Sequence, residues 1–261
     1  MNQQYYAPQR FSILPLVVKN LLIINGLFFL ATIALGKVLK FDLTNVLGLH
    51  YFQSELFYPH QLVTYMFMHS TDGISHILFN MFALWMFGST LENQWGGKKF
   101  LIYYLVTGIG AGLIQEAVYG IRIHQIMAQL SPEMIDIVKN DGLALLQQNL
   151  NYKDLMGNLN VLLNAGTVGA SGSVFGLLFA FGMMFPNALI YIYFAIPVKA
   201  KWFVIGYGVL ELWLGISNRS GDNVAHFAHL GGMLFGFLLL MWWKKKEKDN
   251  YNDNNFFRYY P

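Results

Sequence analysis

Apolar positions in this chain come in long blocks, and the polar ones are confined largely to the gaps between them. Runs near 14–36, 76–91, 100–119, 171–185, 188–216 and 224–243 are nearly free of charge. Most are about the ~20 residues that a bilayer-spanning helix needs. The pattern predicts an all-α membrane protein, a bundle of six transmembrane helices in one domain over 14–244. A short polar lead at 1–13 would precede it, and a basic, mostly disordered tail at 245–261 would follow. The first apolar run is too long and too far from the start to read as a cleavable signal peptide.

The gaps carry their own signals. The outer loop 37–74 is unusually aromatic (FDLTNVLGLHYFQSELFYPHQLVTYMFMH), so part of it is expected within the membrane interface. NQWGGKK joins the second and third runs tightly. In the long outer loop 121–165, Ser131-Pro132-Glu133 reads as a helix start, with serine as N-cap and proline at the first helical position. Asp141-Gly142 is expected to stop that helix, and LALLQQNLNYKDLMGNLNVLL to form a second amphipathic piece on the same outer face. There is no internal repeat.

Composition sharpens the picture. At 261 residues, 55% hydrophobic and 12% charged, the chain lies outside the range of soluble domains. The placement of charge matters more than its +3 sum. With the N-terminus inside, the inner segments hold Arg10, Lys19, Lys98, Lys99, Lys199, Lys201, Lys244, Lys245, Lys246, Lys248 and Arg258, against Lys37, Lys40, Arg122, Lys139, Lys153 and Arg219 outside. The positive-inside rule then puts both termini in the cytoplasm, with a bacterial inner membrane as the expected home. KKKEK after the last run reads as a lipid-headgroup anchor, not a nucleic-acid site. The absence of cysteine removes thiol nucleophiles, thiolate metal sites and disulfides.

A few polar side chains interrupt the apolar runs, and lipid offers them no partner. His76 and Asn80 lie four apart, on one face of the second helix; Ser171 opens the fourth; His226 and His229 lie in the sixth. Ser171 is 15 residues before Pro186, His229 is 15 before Lys244, and Asn80 is 15 before Trp95. At 1.5 Å per residue that is roughly 22 Å of a ~30 Å core, so all three stand some ~8 Å below the outer surface. His229, Gly232 and Gly236 share a helix face, and Gly172 with Gly176 makes a matching smooth face beside Ser171. Packing the two together would bring serine and imidazole within hydrogen-bonding reach. A serine hydroxyl needs such a base to act as a nucleophile, and acyl transfer needs donors for the oxyanion, which an amide and an imidazole can supply. The set predicts a Ser–His dyad with a side-chain oxyanion hole.

These residues resemble the rhomboid family of intramembrane serine proteases. Three motifs carry the likeness in family order over about 50–245: HxxxN (His76 to Asn80), GxSG (Gly169-Ala170-Ser171-Gly172) and AHxxGxxxG (Ala228-His229 to Gly232 and Gly236). The resemblance implies Ser171 as nucleophile and His229 as general base. It implies an oxyanion hole of His76, Asn80 and the Ser171 backbone N–H. Phe175 would stack on the imidazole and Glu92 would be structural. It further implies transmembrane protein substrates, with neither cofactor nor metal. Where many members carry Trp-Arg in the first outer loop, this chain has His60-Gln61.

Two rivals belong to other classes. A rhomboid-like pseudoprotease would bind membrane clients without cutting them, but it would be marked by loss of the serine or histidine. A channel or transporter would continue its polar residues toward the cytoplasm, whereas FGLLFAFGMMF and MLFGFLLLMWW seal the path below the site. HExxH and paired membrane aspartates, the marks of other intramembrane proteases, are missing.

Overall fold

A computed structural model describes residues 11–148, 150–192, 195–217 and 225–256, with side chains as far as Glu247. Arg10, Arg219 and Arg258 of the charge pattern, most of the 1–13 lead and the last five tail residues lie outside the described residues. Among those described, three helices are long and apolar enough to cross a membrane: α1 (Leu16–Leu39), α6 (Gly97–Met127) and the part of α11 (His226–Phe256) up to Glu247. α9 (Ser171–Met184) is apolar but shorter.

The stretch from Ser75 to Trp95 is continuous helix in three geometries: α4 (Ser75–Ala83), a π-helical turn over Leu84–Gly88, and α5 (Ser89–Trp95). It stops at Gly96, whose φ of 77° suits glycine alone among common residues, and α6 begins at once. Pro15 starts α1 without a side-chain cap. Glu92 of α5 supplies one instead, its two carboxylate oxygens accepting the Val17 and Val18 amides at 2.9 and 2.8 Å. An anion at a helix N-terminus satisfies orphan N–H groups and the helix dipole together.

The outer loop 37–74 is packed into the protein more than the sequence suggests. It holds α2 (Thr44–Leu47), α3 (Gln61–Thr64) and a 3-10 turn at Tyr65–Phe67. Leu49, His50, Tyr65, Met66 and Met68 are buried. His60 and Gln61 knit this loop together. The His60 ring bonds the Val46 carbonyl at 2.8 Å, and Gln61, wholly buried, donates to Leu56 O at 2.7 Å while accepting the His50 amide.

Three other expectations are corrected. α7 (Pro132–Gln147) starts as foreseen, with the Ser131 side chain accepting the Met134 amide, but it runs through Gly142 instead of stopping there. Gly142 is a contact point: the Asn160 amide of α8 (Asp154–Asn164) donates to its carbonyl at 3.0 Å. α7 and α8 pack with the far end of α6 and the loop around Val138, Leu159, Leu163, Ile123 and Tyr51. The all-α fold is broken at 188–199, where Leu189–Ile192 (β1) and Ile196–Lys199 (β2) form an antiparallel hairpin pairing Leu189 with Lys199. Pro186 and Pro197 disfavour helix there and the β-branched neighbours favour extension; α10 (Ala200–Ser217) follows. Finally, α11 continues to Phe256, past the lysines at which a disordered tail was expected. No glycine or proline after Gly236 interrupts it.

α6, α9 and α11 form the centre of the molecule, with α10 against α11 and α9. The largest buried cluster joins α1, the π turn, α5, α6, α9 and α10 around Leu84, Leu91, Phe100, Tyr103, Tyr104 and Leu177.

Candidate active site

The segment leading into α9 is held before the helix begins. Leu49 and Thr167 exchange two backbone hydrogen bonds of 2.9 and 2.7 Å, and Gly169 N–H donates to Tyr65 O at 3.0 Å. The outer loop therefore fixes the register of residues 167–170. Gly169 has a φ of 138°, a conformation open to glycine alone without strain. A side chain there would also strike the His76 ring at 3.2 Å and the Ser171 hydroxyl at 3.3 Å. Those two groups thus face one another across the glycine.

α9 begins at Ser171 with no side-chain cap on its first turn. Its leading amides, Ser171's among them, are the uncapped donors that a helix start presents. His76 lies near them: its Nδ1 accepts the Ser70 amide at 3.3 Å, so the neutral ring carries its proton on Nε2, on the side of Gly169 and Ser171. Asn80 is buried, and its amide donates to the His76 carbonyl one turn back at 2.8 Å. The structure brings His76 to the serine; Asn80 it ties first to its own helix.

The serine itself meets the other histidine. Ser171 Oγ and His229 Nε2 are 2.9 Å apart. The Phe175 ring lies parallel to the imidazole, with centroids 4.1 Å apart and planes at 6°, and Tyr207 of α10 stacks on the far face of Phe175 at 5.1 Å. The glycine faces act as spacing suggested at one point only. A side chain at Gly232 would overlap the Gly172 carbonyl, so α11 and α9 touch there backbone to backbone. Gly172, Gly176 and Gly236 instead accommodate α6, facing Ala111, Thr107 and Tyr103, and the Tyr103 hydroxyl donates to Gly176 O at 3.0 Å. α6 is the wedge that spacing alone did not reveal.

His229 has a further partner, outside the three motifs. Its Nδ1 is 2.9 Å from Glu211 Oε2, and His226 Nδ1 is 2.6 Å from the same oxygen. Glu211 lies on α10 and is buried with both histidines. The available signal was plain: it is the only acidic residue in the apolar run 188–216, where a carboxylate needs a partner. Glu211, His226 and His229 also form the group among the described residues able to ligate a metal, their donor atoms lying within 4.8 Å of one another. In the loop nearby, burial and then the neighbouring His76 push the His69 imidazole down to about 4, which keeps it neutral beside the site.

A family profile described as Rhomboid domain matches residues 57–122 and 145–245. The gap between the two matched segments, 123–144, takes in the end of α6 and most of α7. The chain is 32% identical over 176 residues to RHOMBOID-like protein 12, mitochondrial, of Arabidopsis thaliana, covering 66% of this chain and 43% of that one. It is 26% identical over 237 residues to Rhomboid-like protein 11, chloroplastic, of the same plant, covering 82% and 64%. It is also 46% identical over 37 residues to Rhomboid protease GluP of Bacillus subtilis, covering 14% and 7%. The chain thus spans less than two thirds of the length of these relatives.

Proposed function

The chain belongs to the rhomboid family, and from that premise we propose that it is an intramembrane serine endopeptidase that cuts transmembrane proteins near the outer face of the membrane. The observation that carries this reading is the 2.9 Å contact between Ser171 Oγ and His229 Nε2 at the head of α9. Ser171 attacks the scissile carbonyl while His229 Nε2 takes its proton, and the same imidazole then protonates the leaving amine. Water, activated by His229 in turn, hydrolyses the acyl-serine. The oxyanion that forms in each half is met by the Ser171 N–H, the His76 Nε2–H and the Asn80 amide. Every step uses groups of the chain itself; no cofactor or metal enters.

It is a multi-pass membrane protein. We take α1, the helix Ser75–Trp95, α6, α9, α10 and α11 as its six crossings, which the lysines flanking α6, α10 and α11 support, with both termini on the cytoplasmic side. The two plant relatives are named mitochondrial and chloroplastic, and lend the bacterial inner membrane no support.

The test is reaction of detergent-purified protein with a fluorophosphonate, followed by mass mapping of the labelled residue and cleavage of a model transmembrane substrate. Label on Ser171, with cleavage abolished by Ser171→Ala and retained by Ser173→Ala, is the expected result. Ser173 is wholly buried and donates to Tyr104 O at 2.8 Å, facing away from the imidazole. Client binding without label or cleavage would leave a pseudoprotease.

A further inference from the structure

Deepening that reading and resting on it, we propose that Glu211 is a positioning residue for His229, so that the reacting pair is completed as a Ser171–His229–Glu211 relay across α9, α11 and α10. Each edge of the imidazole is accounted for: Nε2 faces Ser171 at 2.9 Å, and Nδ1 faces Glu211 Oε2 at 2.9 Å. An ionised carboxylate can only accept hydrogen bonds, so the ring proton resides on Nδ1 and the Nε2 lone pair is left to receive the serine proton. When Nε2 takes that proton, the imidazolium that forms lies against a negative charge already in place, and Glu211 stays ionised throughout.

The face of the ring is fixed by a second route from the same helix. Tyr207, one turn before Glu211, stacks on Phe175, which stacks on His229. α10 therefore constrains both the tautomer and the plane of the base. His226 Nδ1 donates to the same carboxylate oxygen at 2.6 Å and holds it from the preceding turn of α11. If Glu211 did no more than tie α10 to α11 through His226, its removal would cost stability and leave turnover per folded molecule intact.

Glu211→Gln keeps the shape and removes the charge. Expected is a fall in kcat of about 10²-fold or more, as when a buried carboxylate partner of a catalytic histidine is made an amide, with KM held within about threefold. Glu211→Asp should recover part of the loss. An independent signature is a strongly downfield Nδ1 proton resonance assigned to His229, present in the native chain and in Ser171→Ala and lost in Glu211→Gln. A native chain that cleaves while folded Glu211→Gln keeps kcat within about threefold overturns this proposal alone. A native chain that neither cleaves nor labels overturns the protease reading and this proposal with it. Should Glu211→Gln fail to fold, the resonance of the native chain and of Ser171→Ala decides: present it supports the relay, absent it overturns it.

Discussion

Asn80 has one amide hydrogen committed to the His76 carbonyl at 2.8 Å, and a primary amide carries two. The second is free to meet an oxyanion when a substrate carbonyl enters. Loss of one such donor elsewhere slows turnover by roughly 10²–10³-fold. Asn80→Ala should therefore lower kcat by about that factor while the chain still folds and labels at Ser171. Unchanged turnover, measured on the model substrate, would reduce Asn80 to a helix-bonded amide. At this scale the motifs were readable because Ser171, His229, His76 and Asn80 sit in short fixed spacings. Glu211 stands out as a lone carboxylate in an apolar run, but its partners do not, since they lie 15 and 18 residues along the chain on another helix.

Helix contacts decide whether those side chains meet. Gly232 lies where α11 touches the carbonyl of Gly172, so an added methyl must push the two helices apart just one turn from His229. Gly26, in the middle of α1, has nothing within 4 Å of the same position. Gly232→Ala should lower the thermal midpoint and cut activity at least tenfold, since overpacking costs about 1–3 kcal/mol and displaces what it touches. Gly26→Ala should preserve activity and raise stability slightly, as alanine is the better helix former. Thermal melts beside cleavage rates check both; equal behaviour of the two variants would mean that α9 and α11 are not in close register. Small-xxx-small spacing announced close packing but not its partner, and three of the four glycines prove to face α6.

For the whole molecule the decisive feature is where water and substrate can reach Ser171. The outer loop closes over the lead to α9 through the Leu49–Thr167 bridge, and the apolar residues that follow Ser171 and His229 shut the far side. On the proposed function, hydrolysis is expected near the outer end of the helices. A client helix engages each scissile carbonyl in its own hydrogen bonds and must unwind before attack. Unwinding is cheapest near a helix end and beside glycine or proline, which weaken a helix by about 1 and 3 kcal/mol relative to alanine. Cleavage should therefore fall within the first two turns of the client helix, after a small residue that the crowded surroundings of Ser171 admit. Moving the cut site stepwise inward, with and without an adjacent glycine pair, tests it. Equal cleavage at every depth, insensitive to glycine, would rule out this mode of access.

The sequence by itself determined the membrane class and the position of most helices, because hydropathy and helical period are local properties of the chain; it singled out Ser171 and His229, and the fold supplies their 2.9 Å contact. It also marked the Ser131 cap and the tight turn at Gly96, which depend on neighbours within a few residues. Only the tertiary structure decided what those helices touch. The passage of α7 through Gly142 and the meeting of Glu211 with two histidines rest on contacts between separate helices, while the hairpin at 189–199 and the knitting of the outer loop by His60 and Gln61 rest on pairings between near neighbours that hydropathy does not encode. A buried polar group takes whatever partner packing brings to it, and which helix arrives is set by the fit of whole faces, as when α6 rather than α11 filled the space left by Gly172 and Gly176.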